Sequence, residues 1–310
     1  TESFQPSRTP KPDISQTEAS VETETPAENV ETVTPTSAPV NPDLVVARGN
    51  DPAELVRQAI SALGGMDKFV HSGAKVIIKP NICVAYHSYE YAATTNPWVV
   101  GALVKLCLEA GAKSVQVMDF PFGGSAQEAY AISGIEEQVK AAGGEMAYMP
   151  GFKYVSTDIP MGVDLKKTDI FEDILAADVL INVPIAKHHS LATLTLGMKN
   201  LLGVIRNRSA IHQNLGQRVA DLASLVKPTL TVMDAIRILM VNGPTGGNLN
   251  DVQQTNTVIV SQDFVAVDSY STSLFNLKPD DIAYIPAAAA MGLGQKNLDN
   301  LNLEEIAVGA

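Results

Sequence analysis

The sequence predicts an α/β domain, with a mostly parallel sheet and helices on both faces, behind a disordered acidic tail. Three observations predict it. Short apolar runs alternate with helix-length segments from Leu44 onward. Several of those runs read as buried strands. Residues 1–43 are rich in Thr, Pro, Glu, Ser and Val and carry Phe4 as their one aromatic, too little apolar surface to offset the entropy of ordering.

The tail also carries much of the charge. It holds eight carboxylates against Arg8 and Lys11, a net −6, which is half of the −12 of the whole 310-residue chain. The expected organisation is therefore a flexible spacer over 1–43 and a single α/β domain over 44–310. Spacers of this kind suit a tether to a membrane or wall. An acidic protein disfavours nucleic acid as a partner, because a polyanion requires a basic face. No run of about 18 apolar residues suggests a membrane span. Cys83 and Cys107 are the only cysteines. They are too few for a disulfide framework or for the four thiolates of an iron–sulfur cluster.

The elements follow in order. Leu44–Ala47 reads as a strand. Asp51 caps a helix to about Leu63, closed by Gly64 and Gly65. Lys75–Lys79 reads as a buried strand. Asn96 and Pro97 open a helix that runs to Ala110 and stops at Gly111. Strand Ser114–Met118 precedes a helix over 125–142, broken near Gly134, and a strand at Glu145–Tyr148. A short helix at Phe171–Ala176 leads into strand Asp178–Val183. Leu215–Val226 is helical, Thr229–Met233 and Thr257–Val260 are strands, Asp263–Asn276 and Asp280–Met291 are helices, and Ile306–Val308 is a last strand. Strand–helix alternation implies crossover connections and a Rossmann-like layering.

In such sheets, ligands bind beyond the carboxyl ends of the strands. Five apolar runs are followed by polar groups there: Lys79 with Asn81 and Cys83; Asp119 with Gly123 and Gly124; Lys187 with His188 and His189; Asp234; and Ser261 with Asp263. Lys79 and Lys187 are candidate catalytic or anion-holding cations. Asp119 and Asp234 are candidate ligands for a metal or a substrate hydroxyl, although each could equally be a cap or turn acceptor. Gly123 and Gly124 precede a helix, where backbone amides can hold an anion. Asn242 and Gly243 belong to a second glycine-rich loop, read equally as a plain turn. Adjacent His188 and His189 point in different directions, and His188 is taken as the acid or base. His212 follows Arg206 and Arg208 in a polar turn, where it either helps bind an anion or sits in solvent. Cys83 reads as a small, partly buried thiol and Cys107 as core.

The stretches KPNIC, TNPWVVGALVKLCLEAGA, NVPIAKHH, LTLGMKNLLGVI, HQNLGQRVADL, TVMDA, NGPTGG and SQDFVAVD together resemble the domain-of-unknown-function 362 family, over essentially residues 44–310. The resemblance implies an exported chain whose twin-arginine signal has been removed, hence an extracytoplasmic location, with a cytoplasmic one as the alternative. Some members carry a ferredoxin-like cluster domain, but its cysteines are absent here, so no iron–sulfur role carries over. Lys79, Asn81, Lys187, His188, Lys199, Asn200, Asp234, Asn242 and Gly243 fall in the matching stretches. Lys199 and Asn200 lie among apolar residues in GMKNLLG, where desolvation would weaken the lysine's hold on its proton. Together Lys79, Lys187, Lys199 and Arg206 suit a carboxylate or phosphate.

The functional expectation is an enzyme binding a small anionic metabolite, with a divalent metal left open as cofactor. The alternatives are an extracytoplasmic ligand- or metal-binding protein without catalysis, and a redox accessory protein. They differ in whether binding is accompanied by turnover or by iron.

Overall fold

A computed structural model of the chain describes residues 41–309. Of the expected tail, residues 1–40 lie outside the described residues. Residues 41–43 are tied to the domain, since Asp43 accepts the Asn302 amide and its carbonyl accepts the Ser261 hydroxyl.

In chain order the elements are β1 (Leu44–Gly49), α1 (Pro52–Ala62), β2 (Lys75–Pro80), α2 (Pro97–Glu109), β3 (Ser114–Val117), α3 (Ala126–Ile132), α4 (Ile135–Ala141) and β4 (Glu145–Met146). There follow β5 (Tyr154–Asp158), β6 (Lys167–Phe171), α5 (Glu172–Ala176), β7 (Val179–Val183), β8 (Ile185–His189), β9 (Thr193–Thr195) and α6 (Gly197–Asn200). The chain closes with α7 (Leu215–Leu225), β10 (Leu230–Leu239), β11 (Val252–Ser261), α8 (Phe264–Thr272), α9 (Tyr284–Ala290) and β12 (Leu303–Val308).

The fold is a mixed, mostly parallel ten-stranded sheet with helices on both faces. Its main path is β12-β1-β11-β10-β7-β2-β3-β4, with β8 beside β10 and β9 beside β8. The expected caps form. Asp51 accepts from the amides of Ala53 and Glu54, and Asn96 accepts from that of Trp98. Gly134, in the left-handed region at φ +76°, separates α3 from α4.

Side-chain alternation divides most of the described interior into two main cores. Val76 and Ile78 of β2, with Val179 and Ile181 of β7, pack under α1, α2 and α4. Ile77 and Leu180 face the other way, toward the core containing α6, α7, α8 and α9. The same parity sends Lys79 toward the second layer. Its parallel register partner on β7 is Asn182, so both polar groups point toward α6.

Three features depart from the sequence expectation. β5 and β6 form a separate two-stranded antiparallel sheet. β10 continues five residues past Asp234, so that aspartate lies within a strand rather than at its end. β11 runs antiparallel to β10 and to β1, with Ser261 opposite Thr231. Ser261 and Asp263 therefore lie at the edge where β10 begins, away from the carboxyl ends of β2, β3 and β7.

Candidate functional site

Beyond the carboxyl ends of β2, β3 and β7 lies a cavity of roughly 370 Å³, at the small end of ligand pockets. Its floor is a continuous hydrogen-bonded chain of side chains. The Lys187 ammonium donates to Asn81 Oδ1 (3.0 Å), and Asn81 Nδ2 donates to Asn200 Oδ1 (2.9 Å). Lys79 Nζ donates to the same Asn200 oxygen at 2.9 Å and lies 2.8 Å from Asp119 Oδ1. Asn200 Nδ2 donates to Asn182 Oδ1 (2.8 Å) and Lys79 O (3.3 Å), and Asn182 Nδ2 donates to Gly197 O (2.9 Å). Asn182 was not among the expected site residues. Its signal is that it is the one polar residue inside the run Val179–Val183.

Local sequence explains the placement. α6 begins where buried Asp268 of α8 accepts the amides of Gly197 (2.6 Å) and Met198 (2.9 Å). A side chain at 197 would collide with that carboxylate. Burial raises the Asp268 pKa to about 7, against the lowering effect of the two amides. Gly203 passes directly over the Lys79–Asp119 pair, and a Cβ there would run into Asp119 Oδ1 and Lys79 Nζ.

The two deepest lysines are held by protein groups. Lys79 is 1% exposed and meets Asp119, Asn200 and Pro80 O (2.9 Å). Lys187, also 1% exposed, meets Asn81 Oδ1, Ala93 O (2.6 Å) and Pro244 O (3.0 Å), with Cys83 Sγ at 3.3 Å. Three acceptors exhaust the Lys187 ammonium, and Lys79 is held by two hydrogen bonds and its ion pair with Asp119, so these two supply positive charge to the cavity from behind. Burial lowers Lys79 to about 8 despite the opposing pull of Asp119.

Lys199 differs. It lines the cavity at 7% exposure. Every influence on it weakens its proton: burial first, then the charges of Lys187 and Arg208, which bring it to about 8. Among the described residues, no carboxylate offsets them. The charged groups lining the cavity are Lys79, Lys187, Lys199 and Arg208 against Asp119 alone.

His189, not His188, faces this space. Its Nδ1 accepts the amides of Leu191 (3.1 Å) and Ala192 (3.3 Å), which leaves the ring proton on Nε2. Burial, then Lys199 and Lys187, push its pKa down to about 3. The ring is a neutral N–H donor. His188 instead accepts the Gly243 amide on Nδ1 at 3.0 Å and lies outside the cavity.

Other expected residues separate in the same way. Lys79, Asn81, Asp119, Lys187, Lys199, Asn200 and His212 line one cavity. Asp234 does not. Its carboxylate is occupied by the amides of Asn96 (2.7 Å) and Ile236 (3.0 Å), and burial raises its pKa to about 6. It therefore cannot share a metal with Asp119, whose Oδ2 accepts the Ile82 amide at 2.6 Å. No group of three or more His, Cys, Asp or Glu able to hold a metal occurs among the described residues. The cavity's other charges are cations, so its donor set does not fit a divalent metal.

Gly123 and Gly124 do not line the cavity, and at the start of α3 beside them the Glu128 carboxylate already accepts the Ser125 amide in a capping box. Arg206 lies over the Tyr154 ring, outside the cavity, while Arg208 reaches in beside Phe120. Asn242 Nδ2 donates to Asp251 at 2.8 Å, and Gly243 packs against the His188 carbonyl. Both serve the loop rather than the cavity.

A mostly parallel α/β sheet with a cationic cavity at its strand ends defines the class. The family model described as a domain of unknown function (DUF362) matches residues 76–273, and the chain belongs to that family. It is 29% identical over 247 residues to a thylakoid-associated protein of Synechocystis sp., covering 77% of this chain and 74% of that one. Among solved structures it is similar to the lactate racemase apoprotein of Thermoanaerobacterium thermosaccharolyticum (TM-score 0.46, 13% identity, 74% of this chain and 56% of that one). A Thermotoga maritima protein has TM-score 0.43 and 11% identity, over 74% of this chain and 60% of the other. The chain thus spans less than two thirds of either solved structure, and neither likeness bears on its activity. No helix among the described residues is long and apolar enough to cross a membrane.

Proposed function

We propose that this protein is an enzyme that binds a small anionic metabolite, carrying a carboxylate or phosphate, in the cavity beyond β2, β3 and β7. One observation carries the reading: Lys199 is a buried lysine beside other cations, and among the described residues no carboxylate neutralises it. Burying such a charge is costly unless a partner supplies the opposite one. An anion would accept hydrogen bonds from Lys199, Arg208 and the Nε2–H of His189, while Lys79 and Lys187 add charge from behind.

Lys199 is also the group best placed to exchange a proton near neutral pH. His189 stays neutral, and Lys79 is held by Asn200, the Pro80 carbonyl and its ion pair with Asp119. An incoming anion favours the protonated amine, and a substrate C–H or O–H beside the neutral amine would find a base there. A second reading is binding without turnover. It is favoured by the engagement of Lys79 and Lys187 with protein groups, which leaves little other acid–base machinery in the cavity. An extracytoplasmic location belongs to the same proposal, on the strength of the family's export habit and the acidic segment over 1–43.

The test is a thermal-shift screen of phosphorylated and carboxylated metabolites, followed by product analysis for every hit. Binding at a hundred times Kd adds about 2.7 kcal/mol to stability. No stabilisation by any anion would contradict the proposal. Stabilisation without product would select the second reading.

A further inference from the structure

We propose that the ligand is an amphipathic anion, its charged head among Lys199, Arg208 and His189 and its apolar body against Phe120, Phe122 and Leu191 at the cavity mouth. This rests on the anion reading and adds the chemical class of the remainder of the molecule.

The cavity's buried lining is largely polar and cationic, while its exposed lining includes large apolar side chains. Its floor holds Lys79, Asn81, Lys187 and Asn200, all buried. Its rim holds Phe122, 55% exposed, and Leu191, 68% exposed, beside the exposed polar Ser190 and His212. Neither side chain belongs to the two main cores. They come from different segments, one after β3 and the other after β8, and meet on the same opening.

Their exposure is not a consequence of loose backbone. The Phe122 amide donates to Cys83 O at 2.8 Å, and the Leu191 amide donates to His189 Nδ1. Both backbones are pinned while both side chains stand in water beside a cavity. Phe120 is better held, edge-on to Tyr154 with ring centroids 6.3 Å apart and with the Arg208 guanidinium 5.0 Å from its ring centroid. Isolated exposed apolar side chains are ordinary, but apolar groups rimming a pocket with a few convergent polar groups mark a ligand surface. A purely ionic ligand such as free phosphate would use the floor and leave the rim wet. A ligand with an apolar body would cover both.

The experiment is calorimetric titration of inorganic phosphate and of n-alkyl phosphates from two to eight carbons, kept monomeric, into the full chain. The Phe122→Ser/Leu191→Ser and Lys199→Met variants are titrated alongside, with near-ultraviolet circular dichroism confirming that each is folded. The expected result is a three- to fourfold tightening for each of the first few methylenes, the factor that corresponds to about 0.8 kcal/mol per buried CH₂. That slope should flatten in the rim variant. Phosphate and octyl phosphate binding equally well to the wild-type protein would overturn this inference and leave the anion reading intact. No binding by any member of the series would remove both. Undiminished affinity across the series in Lys199→Met would mean apolar contact without recognition of the head by that lysine, and would also overturn it. So would binding to anionic vesicles with none to the monomers.

Discussion

Lys199 and Asn200 are consecutive residues of α6 with opposite situations. Asn200 has its amide oxygen and nitrogen fully occupied by Lys79, Asn81 and Asn182, whereas Lys199 faces the cavity beside other cations. One turn of helix thus anchors itself with one residue and presents a charge with the next.

Lys199→Met should make the ligand-free protein more stable at pH 7, by roughly 1–3 kcal/mol, because it removes a buried charge that no carboxylate among the described residues neutralises. A gain in stability together with lost anion binding marks a functional group rather than a structural one. Urea unfolding of both proteins measures it, and a destabilised variant would show that the amine has a structural partner.

The same pair of proteins should converge with pH. The folded Lys199 titrates near 8 and the unfolded one near 10.5. Between those values the unfolded chain binds more protons, so this lysine's contribution to stability rises with pH. Cys107, raised to about 12 by burial, and Tyr154, also raised to about 12 with burial the largest cause, act in the opposite direction. They are common to both proteins and cancel in the difference. The variant's advantage should therefore shrink from pH 8 to pH 10.5, as read from unfolding curves across that range.

Asp119→Asn should cost roughly 3 kcal/mol, the usual penalty for leaving one member of a buried ion pair alone. Both partners are almost fully buried, so solvent cannot replace the lost charge. Thermal and chemical denaturation would show it. A neutral effect would mean that Lys79 is held by Asn200 and Pro80 alone.

Asp268→Asn should loosen α6 and cost about 1–3 kcal/mol, since an amide cannot accept both the Gly197 and Met198 N–H groups as the carboxylate does. It should also change the acid limb. With its folded pKa raised to about 7, Asp268 binds more protons folded than unfolded between about pH 4 and 7. It therefore makes stability fall as pH rises through that window. The variant should lack that component, seen as a flatter stability profile from pH 4 to 7.

Much of this was legible in the sequence. Apolar runs marked β2, β3, β7 and part of β10, because a strand covered on both faces admits few polar residues. Lys79, Asn81 and Lys187 stood out as polar groups directly after such runs, and Lys199 and Asn200 as polar groups within one. What the sequence did not show was strand direction and parity. Asp234 resembles a strand-end residue until β10 is seen to continue past it, and Ser261 until β11 is seen to run the other way. The choice between His188 and His189 depends on β8 forming beside β9 and β10. Once Ile185–His189 is known to be a strand, alternation puts His189 on the face of Lys187 and His188 on the other. Arg208 replaces Arg206 because the turn after Ile205 places the former beneath Phe120 and leaves the latter over Tyr154.

The most direct test of the cationic cavity is calorimetric titration of inorganic phosphate into wild-type protein and Lys199→Met at pH 7.5 and constant ionic strength. The account predicts saturable binding to the wild type, weakened at least about tenfold in the variant, as loss of a charge-assisted contact worth 1.4 kcal/mol or more requires. Equal affinities in the two proteins, or no heat of binding in either, would contradict it.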